Sequence, residues 1–159
     1  MLEWCLKKGR EGVQHRGIRE IAPDGTLAKR HLDKAEHYLD ATLYLSEGGF
    51  ADVAVTQAFY VMYHSFLAVL AQQGYESRNQ TCTFAAVESL ISQKKLKLDP
   101  IWVRKVAAYD EEGIAKGDVI SLREEFQYGV QTQVDGKKLG IVIAEAKGLL
   151  ETVKRLLVG

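Results

Sequence analysis

Three groups of residues in this sequence could do chemistry. Gln57, Tyr60 and His64 fall at i, i+3 and i+7, with Tyr63 beside them, in a stretch that is otherwise apolar. Rings at that helical spacing form a wall on which nucleobases could stack, and His64 is the side chain there that titrates near neutral pH. The same line also reads as an internal network in which each polar group finds a partner. Arg78 and Asn79 come next along the chain. Both offer several N–H donors, which suits phosphate or carboxylate, although Asn79 could equally cap a following helix and leave Arg78 in solvent. The third group is Arg123, in the run Ser-Leu-Arg-Glu-Glu-Phe-Gln-Tyr-Gly, with Gln127 one turn on and Tyr128 just after it. Its plain reading is a surface Arg balanced by Glu124 and Glu125 on an amphipathic helix.

Other chemistries find no support. His15, His31, His37 and His64 show no Glu-x-x-His spacing, and no histidine follows His64. A bundle metal site needs such pairs, so neither metal nor cofactor is expected. No phosphate-cradling glycine loop and no nucleophile elbow occur. Cys5 and Cys82 are the two cysteines, with no CxxC, and read as two reduced thiols. Residues 1–10 carry Glu3, Lys7, Lys8 and Arg10 and no apolar core of a signal, so a cytoplasmic location is expected.

These residues need elements to hold them, and the spacing predicts helices. The first runs from about 27 to 46, with Leu32, Ala35, Leu39 and Leu43 inward, and Gly48-Gly49 stop it. The second runs from about 51 to 73. No charged residue occurs between Val53 and Tyr75, which is long enough to span a bilayer. Thr56, Gln57, His64, Ser65, Gln72 and Gln73 interrupt it on several sides, so a helix buried at the centre of a bundle is predicted, with no membrane partner. A short helix is predicted at about 83–92. Asp99-Pro100 opens another, carrying Trp102, Val106 and Tyr109 and stopping near Gly113. Asp118 can cap a helix to about Gly129, with Leu122 and Phe126 inward. The last covers about 137–157, with Leu139, Val142, Ala146, Leu149, Val153 and Leu156 on one face. No strand alternation stands out. The expected fold is all-α, an antiparallel up-and-down helical bundle of about five to six helices. Residues 1–26 are expected to form an N-terminal extension anchored by Trp4, and 27–159 the bundle.

With 21 Lys plus Arg against 21 Asp plus Glu the formal charge is zero. That excludes a surface that attracts nucleic acid as a whole, but not a local site. The stretch from Lys94 to Lys105 sums to plus four (five cations against Asp99), and that from Asp110 to Glu125 to minus four (six carboxylates against Lys116 and Arg123).

Several stretches together resemble one family. Ala35-Glu36-His37-Tyr38-Leu39, Gly49-Phe50-Ala51-Asp52, Ala58-Phe59-Tyr60-Val61-Met62-Tyr63-His64 and the run from Arg123 to Gly129 resemble the HEPN domain, over about residues 27–157. The resemblance implies a helical bundle that usually forms a homodimer. Many members are metal-independent ribonucleases, often toxins paired with a small nucleotidyltransferase; others bind nucleotides or serve as non-catalytic modules. The family's catalytic motif is an Arg, a polar residue, then a His four to six residues on. Arg123 and Glu124 match its start, but Tyr128 stands where His is expected. A phenol with an ordinary pKa near 10 is a poor base at neutral pH. Arg10 to His15 and Arg30 to His37 fit the loose spacing but lie in the extension and on the first helix. What the resemblance implies is therefore RNA or nucleotide binding with a degenerate catalytic motif. Arg123, Tyr128 and His64 would stand in the catalytic positions, with Arg78, Asn79, Gln57, Tyr60 and Tyr63 as ligand contacts. The alternatives are an interaction module with a nucleotidyltransferase partner, and a ribonuclease using Arg123 with Tyr128 or His64 as the base.

Overall fold

A computed structural model describes residues 1–12, 17–107, 123 and 126–158. Helix α1 covers Leu2–Arg10, α2 Gly25–Glu47, α3 Ala51–Gln72, α4 Gln80–Ser92, α5 Ile101–Val106 and α6 Gly136–Val158, with short strands β1 (Ile18–Glu20) and β2 (Tyr75–Ser77). Residues 126–128 add a helical turn. The all-α bundle is as the periodicity predicts.

The helix ends follow from local chemistry. Asp24 has an extended backbone and its carboxylate accepts from Leu27 N at 2.8 Å, starting α2. Gly49 (φ 85°) turns the chain directly into α3, and Gly74 (φ 86°) ends the turn after α3. A Cβ on Gly74 would lie 2.9 Å from the Ile21 carbonyl, so the strand approach there needs glycine twice over. Asn79 Oδ1 caps α4 through Cys82 N at 2.9 Å. Asp99 Oδ1 accepts from Ile101 N at 2.8 Å at the start of α5. That helix is shorter than the spacing suggests, since Ala107 is already extended.

Helix α3 is the axis of the molecule. Fourteen of its residues are buried, from Ala54 to Ala71, so its neighbours must cover it on several sides. It is long and apolar enough to cross a membrane, but 72% of its most apolar window is buried inside the protein, packed by α2, α4, α5 and α6. Helix α2 offers it Ala28, Ala35 and Thr42, spaced seven apart, and α6 offers Leu139, Val142, Ala146, Leu149, Leu150 and Val153. Small residues let the helices approach: a Cβ on Gly148 would lie 2.9 Å from the Trp102 ring. Thr42, Ser65 and Thr152 turn their hydroxyls back onto Tyr38, Val61 and Gly148 carbonyls, so they add no unpaired donor.

Three expectations are corrected. Cys5 and Cys82 are not free thiols but form a disulfide across 77 residues. It joins two helices far apart in sequence, so no local cysteine spacing announces it. Trp4 does not anchor the N-terminus, being 52% exposed; Cys5 is the buried residue of α1. And two strands do exist: β1 pairs antiparallel with β2, Ile18 opposite Ser77, Arg19 opposite Glu76, Glu20 opposite Tyr75. Three residues are too few to show alternation in a sequence. The expectations resting on His15, Tyr109, Gly113, Asp118, Leu122, Glu124 and Glu125, and most of the acidic run, lie outside the described residues.

Candidate functional site

Because α2 turns into α3 through residues 48–50, positions equally distant from that turn face each other. Tyr60 therefore meets Tyr38; His64 meets His31, which lies one helical turn farther from the connection than the equidistant position, Lys34. The Tyr38 and Tyr60 rings stack at 5.3 Å with 25° between planes, and Tyr38 also stacks on His64 at 5.4 Å and 27°. Beyond them the His31 and His64 rings touch, Nδ1 to Nδ1, at 3.1 Å. All four side chains are half-buried, with part of the cluster open to solvent. Lys34 Nζ sits 4.9 Å from the centre of the Tyr38 ring.

The electrostatics keep this cluster uncharged. Burial lowers the His64 pKa to about 4, and the neighbouring His31 and Lys34 charges push the same way. Burial also lowers His31, with Arg30 adding to the effect and Glu76 opposing it. Both rings are neutral at pH 7, so one Nδ1–H donates to the other ring's lone pair, in whichever tautomeric order. Glu76 in turn pairs with Arg19 and, at 3.6 Å, with Arg78. The result is a neutral aromatic surface with cations along its border.

The structure brings only some of the sequence candidates together. Tyr60 and His64 lie in the cluster. Tyr63 lies beneath it, 9% exposed, its ring parallel to Phe59 at 5.9 Å and its hydroxyl 3.3 Å from Thr83 Oγ1. Burial raises the pKa of that phenol, so it stays protonated. Asn79 is engaged as a helix cap, and its carbonyl accepts from Thr83 Oγ1 at 2.9 Å. Arg78 is exposed and held by Glu76. Gln57 is half-buried on the same helix.

Arg123 and Tyr128 part company. Arg123 is 7% exposed, with its guanidinium 4.3 Å above the Phe59 ring, whereas Tyr128 is 75% exposed. Arg123 is thus no surface Arg. Its Nε has no hydrogen-bond partner among the described residues. The Phe59 ring under it stacks on Tyr63, which in turn meets His64 edge-on. Among the described residues no group of three or more His, Cys, Asp or Glu is placed to hold a metal ion.

Sequence reasoning missed His31 and Tyr38. A signal existed: they are seven apart on α2, as Tyr60 and His64 are four apart on α3, and the Gly48-Gly49 turn fixes which of them meet. No single-helix spacing could show it.

The chain was also compared with known proteins. No curated protein matches it. Its residues 28–156, from the start of α2 to the last turn of α6, match the HEPN domain, and with four-fifths of its length so matched the chain belongs to the HEPN family.

Proposed function

We propose that this HEPN domain binds RNA or a nucleotide at the Tyr38–Tyr60–His64–His31 face and does so without cleaving it. The family is generally concerned with nucleotides and RNA. The observation that carries the reading is the half-exposed ring stack, which offers π-faces to a base at its open edge. Base stacking on such rings is worth about 1–3 kcal/mol per base and tolerates any sequence. The histidine pair adds one hydrogen-bond donor and one acceptor to a base edge, and Lys34 and Arg30 add charge for a phosphate. Neither candidate base suits cleavage. His64 at about 4 holds its proton too weakly for efficient proton abstraction at neutral pH, and Tyr128 is an exposed phenol. Arg123, turned inward, supports Phe59 rather than touching the ligand.

The test is binding of a labelled single-stranded oligoribonucleotide in the presence of a chelator. Tyr38→Ala and Tyr60→Ala should weaken it about ten-fold each, as loss of one stacking contact does, while Tyr128→Ala leaves it unchanged. Equal affinity in all four proteins would sink the proposal. Metal-independent cleavage that disappears in Arg123→Ala would replace it with the nuclease reading.

A homodimer, or a complex with a nucleotidyltransferase, is the second reading. It is favoured by Tyr44, Phe50, Val53 and Ile141, which are exposed beside the cluster of Leu45, Ala54, Val55 and Leu139. Sedimentation of the isolated protein, then with the partner added, separates the two.

A further inference from the structure

The N-terminal segment is attached in an unusual way. Helix α1 has one fully buried residue, Cys5; Leu2 and Leu6 are half-buried against the core. A nine-residue helix does not persist in water unaided. Strand β1 adds three residue pairs to β2. The covalent link to Cys82 on α4 therefore ties α1 down, and Ile18, 1% exposed in the core, seats β1. The HEPN match begins at residue 28 and does not include this segment, which among the helices around α3 touches α4.

Helix α1 and β1 are also packed backbone to backbone. A Cβ on Gly17, whose φ is 88°, would lie 2.3 Å from the Cys5 carbonyl, and one on Gly9 would lie 1.9 Å from that of Ile18. The two pieces are in backbone contact, so one cannot lift without the other. What they carry to the site is Arg19, paired with Glu76, the carboxylate whose charge acts on His31.

We propose that the Cys5–Cys82 disulfide is a reversible latch, holding α1 and β1, and with them Arg19, against the nucleotide face, and that reduction releases this segment while the bundle stays folded. The effect on the ligand rests on the binding reading above; the release does not. Both sulfurs are buried, so local opening of α1 precedes attack. A thiolate of a dithiol reductant attacks one sulfur and forms a mixed disulfide. Its second thiolate then displaces the protein sulfur and closes the reductant's own disulfide. Two electrons and two protons pass to the protein, which ends with thiols at Cys5 and Cys82. Without Arg19, Glu76 turns a less compensated carboxylate toward the site and opposes an incoming phosphate.

The experiment uses the full chain, oxidised and after dithiothreitol. Thiol titration comes first: two free thiols in the oxidised preparation overturn the proposal. Limited trypsin digestion should then leave Arg19 protected in the oxidised protein. In the reduced protein it should be cut, with the fragment that begins at Glu20 intact and the helical circular dichroism retained. Continued protection of Arg19 after reduction, or collapse of the whole helical signal, refutes the latch. The Cys5→Ser/Cys82→Ser variant should behave as the reduced protein does. A single-stranded oligoribonucleotide should bind the reduced form about two- to five-fold more weakly, and oxidised Arg19→Gln should show the same loss with no free thiols. Equal affinity in the two redox states overturns the link to the site. Failure of both states to bind refutes the nucleotide reading, and the digestion still decides the latch.

Discussion

Replacing His64 by Gln should remove an acid-sensitive part of the protein's stability. His64 is neutral in the folded protein, with its pKa lowered from 6.5 to about 4, first by burial and then by His31 and Lys34. Unfolding restores the ordinary value. The folded pKa is the lower one, so between the two values the unfolded chain binds more protons and stability falls as pH falls. The contribution is complete above pH 6.5, shrinks through that window and levels off below about pH 4. A shift of that size corresponds to about 3 kcal/mol at most. The ring is partly open to water, which screens the neighbouring charges, so roughly 2 kcal/mol is the realistic loss. Gln keeps a hydrogen-bonding group opposite His31 but does not titrate. Urea denaturation of both proteins at pH 7.5 and pH 4.5 isolates the effect, because every carboxylate is common to the two. With an m-value of about 2 kcal/mol/M, the midpoint of the natural protein should drop by about 1 M more than that of His64→Gln. Equal drops would falsify the assignment of the neutral ring to His64.

Three further outcomes are expected. Asp24→Ala removes the side-chain cap of α2 and should cost about 1 kcal/mol in denaturant unfolding, with the helical signal before unfolding unchanged. Arg123→Met keeps an unbranched apolar chain beside Phe59 and removes a buried Nε that has no hydrogen-bond partner among the described residues. Its melting temperature should equal or exceed that of the natural protein, whereas Arg123→Ala, which leaves a void on that ring, should melt lower. Gly148→Ala sets a methyl 2.9 Å from the Trp102 ring. It should cost about 1–3 kcal/mol and change the tryptophan emission as the ring gives way.

The bundle was legible because burial writes itself into helical spacing. The charge-free run from Val53 to Tyr75 told that α3 is covered all round, and the stripe from Leu139 to Val153 told which face of α6 covers it. What a single helix cannot encode stayed hidden. His31 and His64 are 33 residues apart and meet only across two helices. Cys5 and Cys82 meet because a strand pairing places α1 beside α4. Arg123 misled for a different reason. Two glutamates follow it, which is a surface pattern, yet the chain turns it inward over the face of the Phe59 ring.

The pairing of β1 with β2 also sets an order of events in folding. Helices α2 and α3 are neighbours in sequence, joined by three residues, and their contacts close early at small cost in chain entropy. Arg19 finds Glu76 only across 57 residues. During synthesis the N-terminal segment emerges first, yet it has nothing to dock on until β2 has followed α3 out of the ribosome. Strand β1 thus takes its place only after α2 and α3 have theirs. Pulse-labelled hydrogen exchange during refolding should show the amides of Ile18–Glu20 protected after those of α2 and α3.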